Sequence, residues 1–412
     1  MMAESPPMPV RATKRGDERT PLHGERDVLI CGASFAGLAV ARELAGSGAD
    51  VLVVDRYEIG ERQTSACGIP TEWLRRLGLM AAERQRFDTL VMHTPHGDAR
   101  YRLPWTFSTF DYRELCRLLW RDCDATFETA KVNGRAATGN GGGRIAVETD
   151  RGVVSAPLVV DALGWRRVLA GGSGYQPPDA PLSRGLEVHP GGKSTDLAIW
   201  IDRRYVPAGY GWSFPAGDEL RIGIGSFDPR FHVKDTTVKL TRDLGKEPNE
   251  YQGNWIPHKI REATEGGVFF VGDSAGHCLP LSAEGIRTAL YFGIALGRQL
   301  RGVIENRRSR EQAAAAYASF HDSHEWKFRW MLRVQKLIPR VPPRILGPAV
   351  RLMGSKRFVE WSFNHYLAIA APEYAGSRWV ASADDEDGAG KQQGDAEEPL
   401  GRERDLVEAE QA

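Results

Sequence analysis

Apolar residues in this chain fall in short unbroken runs separated by small-residue turns, the pattern of strands buried on both faces. The first run is Val28-Leu29-Ile30-Cys31, and the second, Val51 to Val54, closes on Asp55. Between them lie a turn, Gly32-Ala33-Ser34-Phe35-Ala36-Gly37, a helical stretch from Leu38 to Ala45, and the terminator Gly46-Ser47-Gly48. This spacing predicts a βαβ unit over Asp27–Arg56. Leu90–His93 and Arg100–Leu103 alternate across Pro95-His96-Gly97-Asp98, a hairpin signal. Asp111 is placed to cap a helix from Tyr112 to Arg121. Buried strands are expected at Leu158–Leu163 and Gly267–Val271, a strand-rich section from Leu182 to Phe227, and a long helix from Ala283 to Leu300.

These elements predict an α/β protein in which a Rossmann-like domain is interrupted by an antiparallel β-sheet and followed by a helical C-terminal region. The expected organisation is a disordered segment 1–25, nucleotide-binding parts at 26–181 and 263–303, a substrate sheet at 182–262, helices at 304–380 and a disordered tail at 381–412.

Composition changes this picture in one place. The formal net charge of zero is a cancellation, because residues 381–412 hold 11 acidic and 3 basic residues. The rest carries 51 basic against 43 acidic side chains. No run approaches the length of a membrane span, and no apolar leader is apparent, so a cytoplasmic location is the expectation. Five scattered cysteines without ligand spacing suggest a reduced compartment and no metal. Nothing in the charge pattern points to nucleic acid.

The turn at residues 32–37 has the physics of a dinucleotide site. Gly32 permits the tight turn, Ser34 and Ala36 let backbone N–H groups approach a pyrophosphate, and Gly37 lets the helix pack close. Asp55 is placed to accept hydrogen bonds from a ribose. Ser34 replaces the second glycine of G-x-G-x-x-G, and an ordinary α/β turn is the alternative. A second acid, Asp273, ends a strand in Val271-Gly272-Asp273-Ser274-Ala275-Gly276, and Glu284-Gly285-Ile286 opens a helix. A carboxylate there suits polyol hydroxyls, and a helix N-terminus suits negative charge on a reduced flavin.

Together these stretches resemble the FAD-binding fold of the glutathione-reductase and para-hydroxybenzoate-hydroxylase type, and within it the geranylgeranyl reductase family. The resemblance spans roughly Asp27 to Leu300. It rests on Cys67-Gly68, Arg113, Asp161-Ala162-Leu163-Gly164, Gly272-Asp273 and Glu284-Gly285-Ile286. Its sharpest part is Tyr210-Gly211-Trp212-Ser213-Phe214-Pro215 followed by Gly223-Ile224-Gly225, similar to the family's Y-x-W-x-F-P…G-x-G substrate motif.

The resemblance implies an FAD-binding domain with Gly32, Ser34, Phe35, Ala36 and Gly37 at the pyrophosphate, and Asp55, Arg56 and Val132 at the adenosine end. It implies Arg113 at the pyrophosphate or ribityl region, Asp273 at ribityl, and Cys67, Gly68, Gly285 and Ile286 near the ring. Tyr210, Trp212 and Phe214 would line the substrate, with Gly223 and Gly225 allowing close approach to the flavin; core packing is the other reading of the three aromatics. Cys67 and Tyr210 are the candidate catalytic residues, each as a proton donor. The implied activity is saturation of carbon–carbon double bonds of a prenyl lipid, with NAD(P)H or a reduced ferredoxin as electron donor. A flavin monooxygenase is the alternative, although Leu163 replaces the aspartate of the hydroxylase Asp-Gly motif. A carotenoid-cyclase-like, non-redox flavoprotein and a non-catalytic nucleotide-binding module are weaker readings. His277, His321 and His324 read as structural.

Arg301 to Arg357 interleaves basic and apolar residues, with Trp326, Trp330 and Trp361 nearby. Such helices can cap the substrate domain, dock on an anionic membrane, or do both.

Overall fold

Three sheets organise the residues described by the computed structural model, which are 19–63, 65–136, 143–170, 182–257 and 259–376. The acidic tail and most of the glycine cluster at 139–143 lie outside them. The central six-stranded sheet runs Thr264–Glu265, Val268–Phe270, Leu158–Asp161, Val28–Cys31, Val51–Asp55, Thr126–Thr129. Its pairings are parallel except at the Thr264–Glu265 edge. Val28–Cys31, Leu158–Asp161 and Val268–Phe270 are buried throughout, which is why they read as unbroken apolar runs.

The Phe35–Glu43 helix lies between this sheet and the Ile286–Ile304 helix, so both its faces are apolar. The two helices approach closely through missing side chains. A Cβ on Gly293 would stand 2.8 Å from the Ala36 carbonyl oxygen, and one on Gly297 would stand 2.5 Å from Glu43 Cβ. The second helix starts at Ile286 rather than Ala283 and continues to Ile304. Ala283 itself adopts φ +52°, a left-handed conformation that a helix cannot contain.

The eight-stranded sheet runs Gln252–Pro257, Leu182–Val188, Glu219–Ser226, Gly209–Ala216, Leu197–Trp200, Glu83–Thr94, Gly97–Phe110, Gly68–Pro70. It is larger than the segment 182–262 expected from sequence. The hairpin at 83–110, assigned above to the nucleotide-binding part, joins it through a parallel pairing of Leu197–Trp200 with Leu90–His93. The two parts are therefore interleaved along the chain.

A third sheet sets Gly24–Glu25 beside Gly152–Ala156, Ile145–Thr149 and Val132–Arg135. Residues 19–25, expected to be disordered, are thus ordered: Leu22 is buried, its N–H bonds the Arg151 carbonyl, and Arg19 pairs with Asp150.

Helices Pro343–Met353 and Lys356–Leu367 cover the long hairpin, placing Val350 and Val359 in one apolar cluster with Phe87, Leu90, Tyr101 and Leu103. Among the described residues no helix is long and apolar enough to cross a membrane.

Candidate functional site

The glycine turn is built by close approaches that tolerate no side chain. Gly32 adopts φ +112°, and a Cβ there would stand 2.3 Å from the Ala162 carbonyl oxygen. A Cβ on Gly37 would stand 1.9 Å from the Gly32 carbonyl oxygen. Ser34 is the N-cap of the Phe35–Glu43 helix, yet its side chain caps nothing and instead lies 3.2 Å from Tyr112 Oη. No acidic residue occupies the helix's first turn, so its free N–H groups present positive potential. Phe35 is buried edge-on against Phe110 and Tyr112. Asp55 holds the turn: its carboxylate accepts from Ala33 N at 2.9 Å and Tyr57 N at 3.0 Å. Burial raises its pKa, against those two bonds and Arg56.

Arg56 is exposed over the Tyr57 ring. Val132 is buried beside Leu52 and Val54, near this same strand end. Arg113 is exposed at the start of the Tyr112–Arg121 helix, which Asp111 caps by accepting from Glu114 N. Its backbone abuts Gly60, whose Cβ would stand 2.9 Å from Arg113 Cα. The Ser34–Tyr112 contact places this helix N-terminus beside the glycine turn.

The second acid lies at the other end of the sheet's carboxyl edge. A Cβ on Gly272 would stand 3.0 Å from Ala36 Cβ, so the two motifs meet. Asp161, fully buried, accepts from Ser274 Oγ, Leu163 N and Leu169 N, locking the Asp161–Gly164 turn to the Gly272–Ala275 turn. Asp273 is different. Among the described residues no hydrogen bond reaches its carboxyl, and burial pushes it up to about 6. Gly285 and Ile286 open their helix without a side-chain cap or an acid in the first turn. A Cβ on Gly285 would stand 3.3 Å from Cys278 Sγ and 3.6 Å from Asp273 Oδ1. Glu284 and the fully buried Arg287 form a bidentate pair beside this terminus. The predicted histidines lie behind it: His277 stacks on Phe292 and meets His321 at 2.9 Å.

Tyr210, Trp212 and Phe214 share one face of the Gly209–Ala216 strand, as their alternation requires. Tyr210 Oη donates to the Ser282 carbonyl, just before Glu284, and burial raises its pKa beyond the ordinary range. Phe214 packs edge-on against Phe107. Gly223 and Gly225 serve a purpose other than the one expected. A Cβ on Gly223 would stand 2.2 Å from Trp212 Cζ2, so the indole itself fills the space their missing side chains leave.

Cys67 is buried at φ +54°, and its thiol donates to the Ser65 carbonyl at 3.1 Å. Desolvation raises that thiol's pKa well above normal, against the nearby Arg221 guanidinium, so it keeps its proton. Gly68 is buried where a Cβ would collide with the Phe107 ring. Sequence reasoning missed Arg221, a buried cation that donates to the carbonyls of Ala66 and Phe110 and so ties the eight-stranded sheet to the Cys67 loop. It also missed Glu187, since an acid inside a strand ordinarily marks the solvent face.

The family model for an FAD binding domain matches residues 25–98. The chain is 26% identical over 342 residues to digeranylgeranylglycerophospholipid reductase 3 of Methanosphaera stadtmanae, covering 73% of this chain and 83% of that one. A geranylgeranyl bacteriochlorophyll reductase-like protein from Thermoplasma acidophilum shares the fold, with a TM-score of 0.72 over 85% of this chain and 98% of its own, at 17% identity. The chain thus carries an FAD-binding domain and is similar, over most of its length, to geranylgeranyl-lipid reductases. A probable FAD-dependent monooxygenase from Pseudomonas aeruginosa shares the fold at a TM-score of 0.61 and 16% identity, covering 83% of this chain and 100% of that one. The residues present fit FAD. An uncapped helix N-terminus suits a diphosphate, and the unpartnered, desolvated Asp273 suits a polyol donor.

Proposed function

We propose that this chain is an FAD-dependent reductase that saturates carbon–carbon double bonds of a prenyl lipid or related isoprenoid. The observation that carries the reading is an aromatic strand face. Tyr210, Trp212 and Phe214 share it: Tyr210 reaches the Ser282 carbonyl, and Phe214 packs on Phe107 in one apolar cluster with Trp105 and with Phe363 of the C-terminal helices. A long hydrocarbon chain is the ligand such a surface suits.

In this reading the N–H groups of the 32–37 turn and Arg113 hold the diphosphate, while Asp55, Arg56 and Val132 hold the adenosine. Asp273 accepts from ribityl hydroxyls, and the backbone of Gly285 and Ile286 faces the ring with Cys67 and Gly68 across it. FAD, once reduced by NAD(P)H or a reduced ferredoxin, supplies a hydride equivalent to one alkene carbon. The protein's own residues orient the alkene and exclude water. Tyr210 and Cys67 both retain their protons at neutral pH, which suits them to lining the site and donating hydrogen bonds. Either of them, or a water in the site, is the source of the second hydrogen in this reading.

The C-terminal helices bring the enzyme to its substrate. Trp326, Trp330, Leu352 and Trp361 are 56–79% exposed. They are interleaved with exposed Arg333, Lys336, Arg344 and Arg357, a combination suited to peripheral docking on the inner face of an anionic membrane.

Incubating the FAD-loaded protein with a geranylgeranyl lipid and dithionite tests the activity. The expected product gains about 2 mass units per bond reduced, whereas a gain of about 16 would mean oxygen insertion. An unchanged substrate mass would remove the reductase reading.

A further inference from the structure

We propose that Glu187 is a positioning residue for the substrate: it fixes the plane of the Trp212 indole that forms part of the wall of the prenyl site. The inference rests on the reductase reading above. One rung of the eight-stranded sheet aligns Trp212, Gly223, Glu187 and Gln252 on four neighbouring strands. Because Gly223 has no side chain, the indole crosses its strand, and Nε1 donates to Glu187 Oε2 at 2.6 Å.

The indole lies over glycines, with the Tyr210 ring beside it at 6.0 Å between centroids. Ideal Cβ atoms on Gly223, Gly225 and Gly185 would stand 2.2, 3.4 and 3.9 Å from its benzenoid ring. Such a floor supports the ring from below but does not by itself fix its plane. The bond to Glu187 supplies that constraint.

The carboxylate is itself over-determined. It is 3% exposed and accepts from Gln252 Nε2 at 2.6 Å and His189 Nε2 at 2.8 Å as well as from the indole. Burial alone would raise its pKa. His189, Arg221 and Trp212 outweigh burial and hold it below the usual carboxylate range, so the acceptor is ionised and the indole bond is charge-assisted. A buried carboxylate is costly in a strand whose neighbours could be apolar, and three converging donors are a specific arrangement. Gln252 also reaches the Ser65 carbonyl at 3.4 Å, so the indole is registered to the Cys67 loop.

The experiment compares Glu187→Gln, Trp212→Phe and the double variant in the FAD-loaded protein, with geranylgeranyl diphosphate as the probe substrate. Glutamine cannot accept from all three donors, and phenylalanine has no N–H to donate. Each single variant should lower kcat/KM for the alkene on the order of tenfold, mostly through KM, while FAD content and the rate of flavin reduction by dithionite stay as in wild type. The double variant should lose no more than the worse single one, because both remove the same bond. Additive losses, or a Glu187→Gln enzyme with wild-type kcat/KM, would overturn the proposal and leave the reductase reading standing. A wild-type enzyme inert to the prenyl probe and to a geranylgeranyl lipid would overturn that reading, and this proposal with it.

Discussion

Ser274 Oγ stands 2.7 Å from Asp161 Oδ1, joining two strand ends 113 residues apart in sequence. The same hydroxyl lies 3.0 Å from the Gly164 carbonyl and accepts from Gly164 N at 3.1 Å. Ser274→Ala removes all three contacts inside a buried site. The expected cost is about 1–3 kcal/mol in unfolding free energy, read by denaturant titration, with weaker FAD retention on gel filtration.

Gly37→Ala tests the close packing of the nucleotide-binding turn. Its Cβ would stand 1.9 Å from a backbone oxygen, which cannot turn away as a side chain can. The helix must move off the turn, so a loss of at least about 3 kcal/mol and of FAD binding is expected. Gly37 lies within the Phe35–Glu43 helix and not at a positive φ, so the loss reports the collision and not φ strain.

FAD affinity should depend on pH through Asp273. Burial raises this carboxyl from 3.8 to about 6 in the protein without FAD. The folded state therefore holds a proton that the unfolded chain has released, and this favours folding at acid pH until pH rises through about 6. In the proposed site a ribityl hydroxyl would donate to the ionised carboxylate and reverse the preference, so that binding would release a proton. Fluorescence titration should show FAD affinity rising between about pH 5 and 7, and Asp273→Asn should flatten that slope.

The buried histidines give stability the opposite trend. Gly272 N donates to His277 Nδ1 at 3.1 Å, so Nε2 carries the proton that His321 Nδ1 accepts. Burial lowers His321 and His324 from 6.5 to about 4. The unfolded chain then binds more protons than the folded one, so stability is full above about pH 6.5 and is lost as pH falls through about 4. Each ring carries up to about 3 kcal/mol. Melting temperature should drop steeply below about pH 6, and His324→Gln should blunt the drop.

Sedimentation with anionic liposomes tests the membrane role. Binding is expected at low salt and should weaken as salt screens the basic side chains. Arg344→Glu with Arg357→Glu should lower the partition coefficient by more than about tenfold, at about 1 kcal/mol per cation. Leu352→Ala with Trp361→Ala should lower it at any salt concentration. No pelleting at low salt would remove the idea.

The βαβ unit was legible because its determinants are local: two buried runs, a small-residue turn and an acid at the second strand's end. Aromatic alternation at Tyr210, Trp212 and Phe214 likewise placed three rings on one face. What stayed hidden depends on partners distant in sequence. The parallel pairing of Leu197–Trp200 with the 83–94 strand leaves no local mark, so the substrate sheet was drawn too small. Gly223 and Gly225 showed that space was needed, but a glycine does not say what fills it. Glu187 was missed for the same reason, since its three donors sit 2, 25 and 65 residues away.

The Arg287 guanidinium, fully buried, also donates to the carbonyls of Leu367 and Ala370, and Trp73 Nε1 donates to Ala370 as well. The Ile286–Ile304 helix and residues 367–370 are thereby one stability unit. Without the C-terminal segment the guanidinium would lose its acceptors at Leu367 and Ala370, so truncation before residue 367 is expected to weaken the Ile286–Ile304 helix as well as the C-terminal helices.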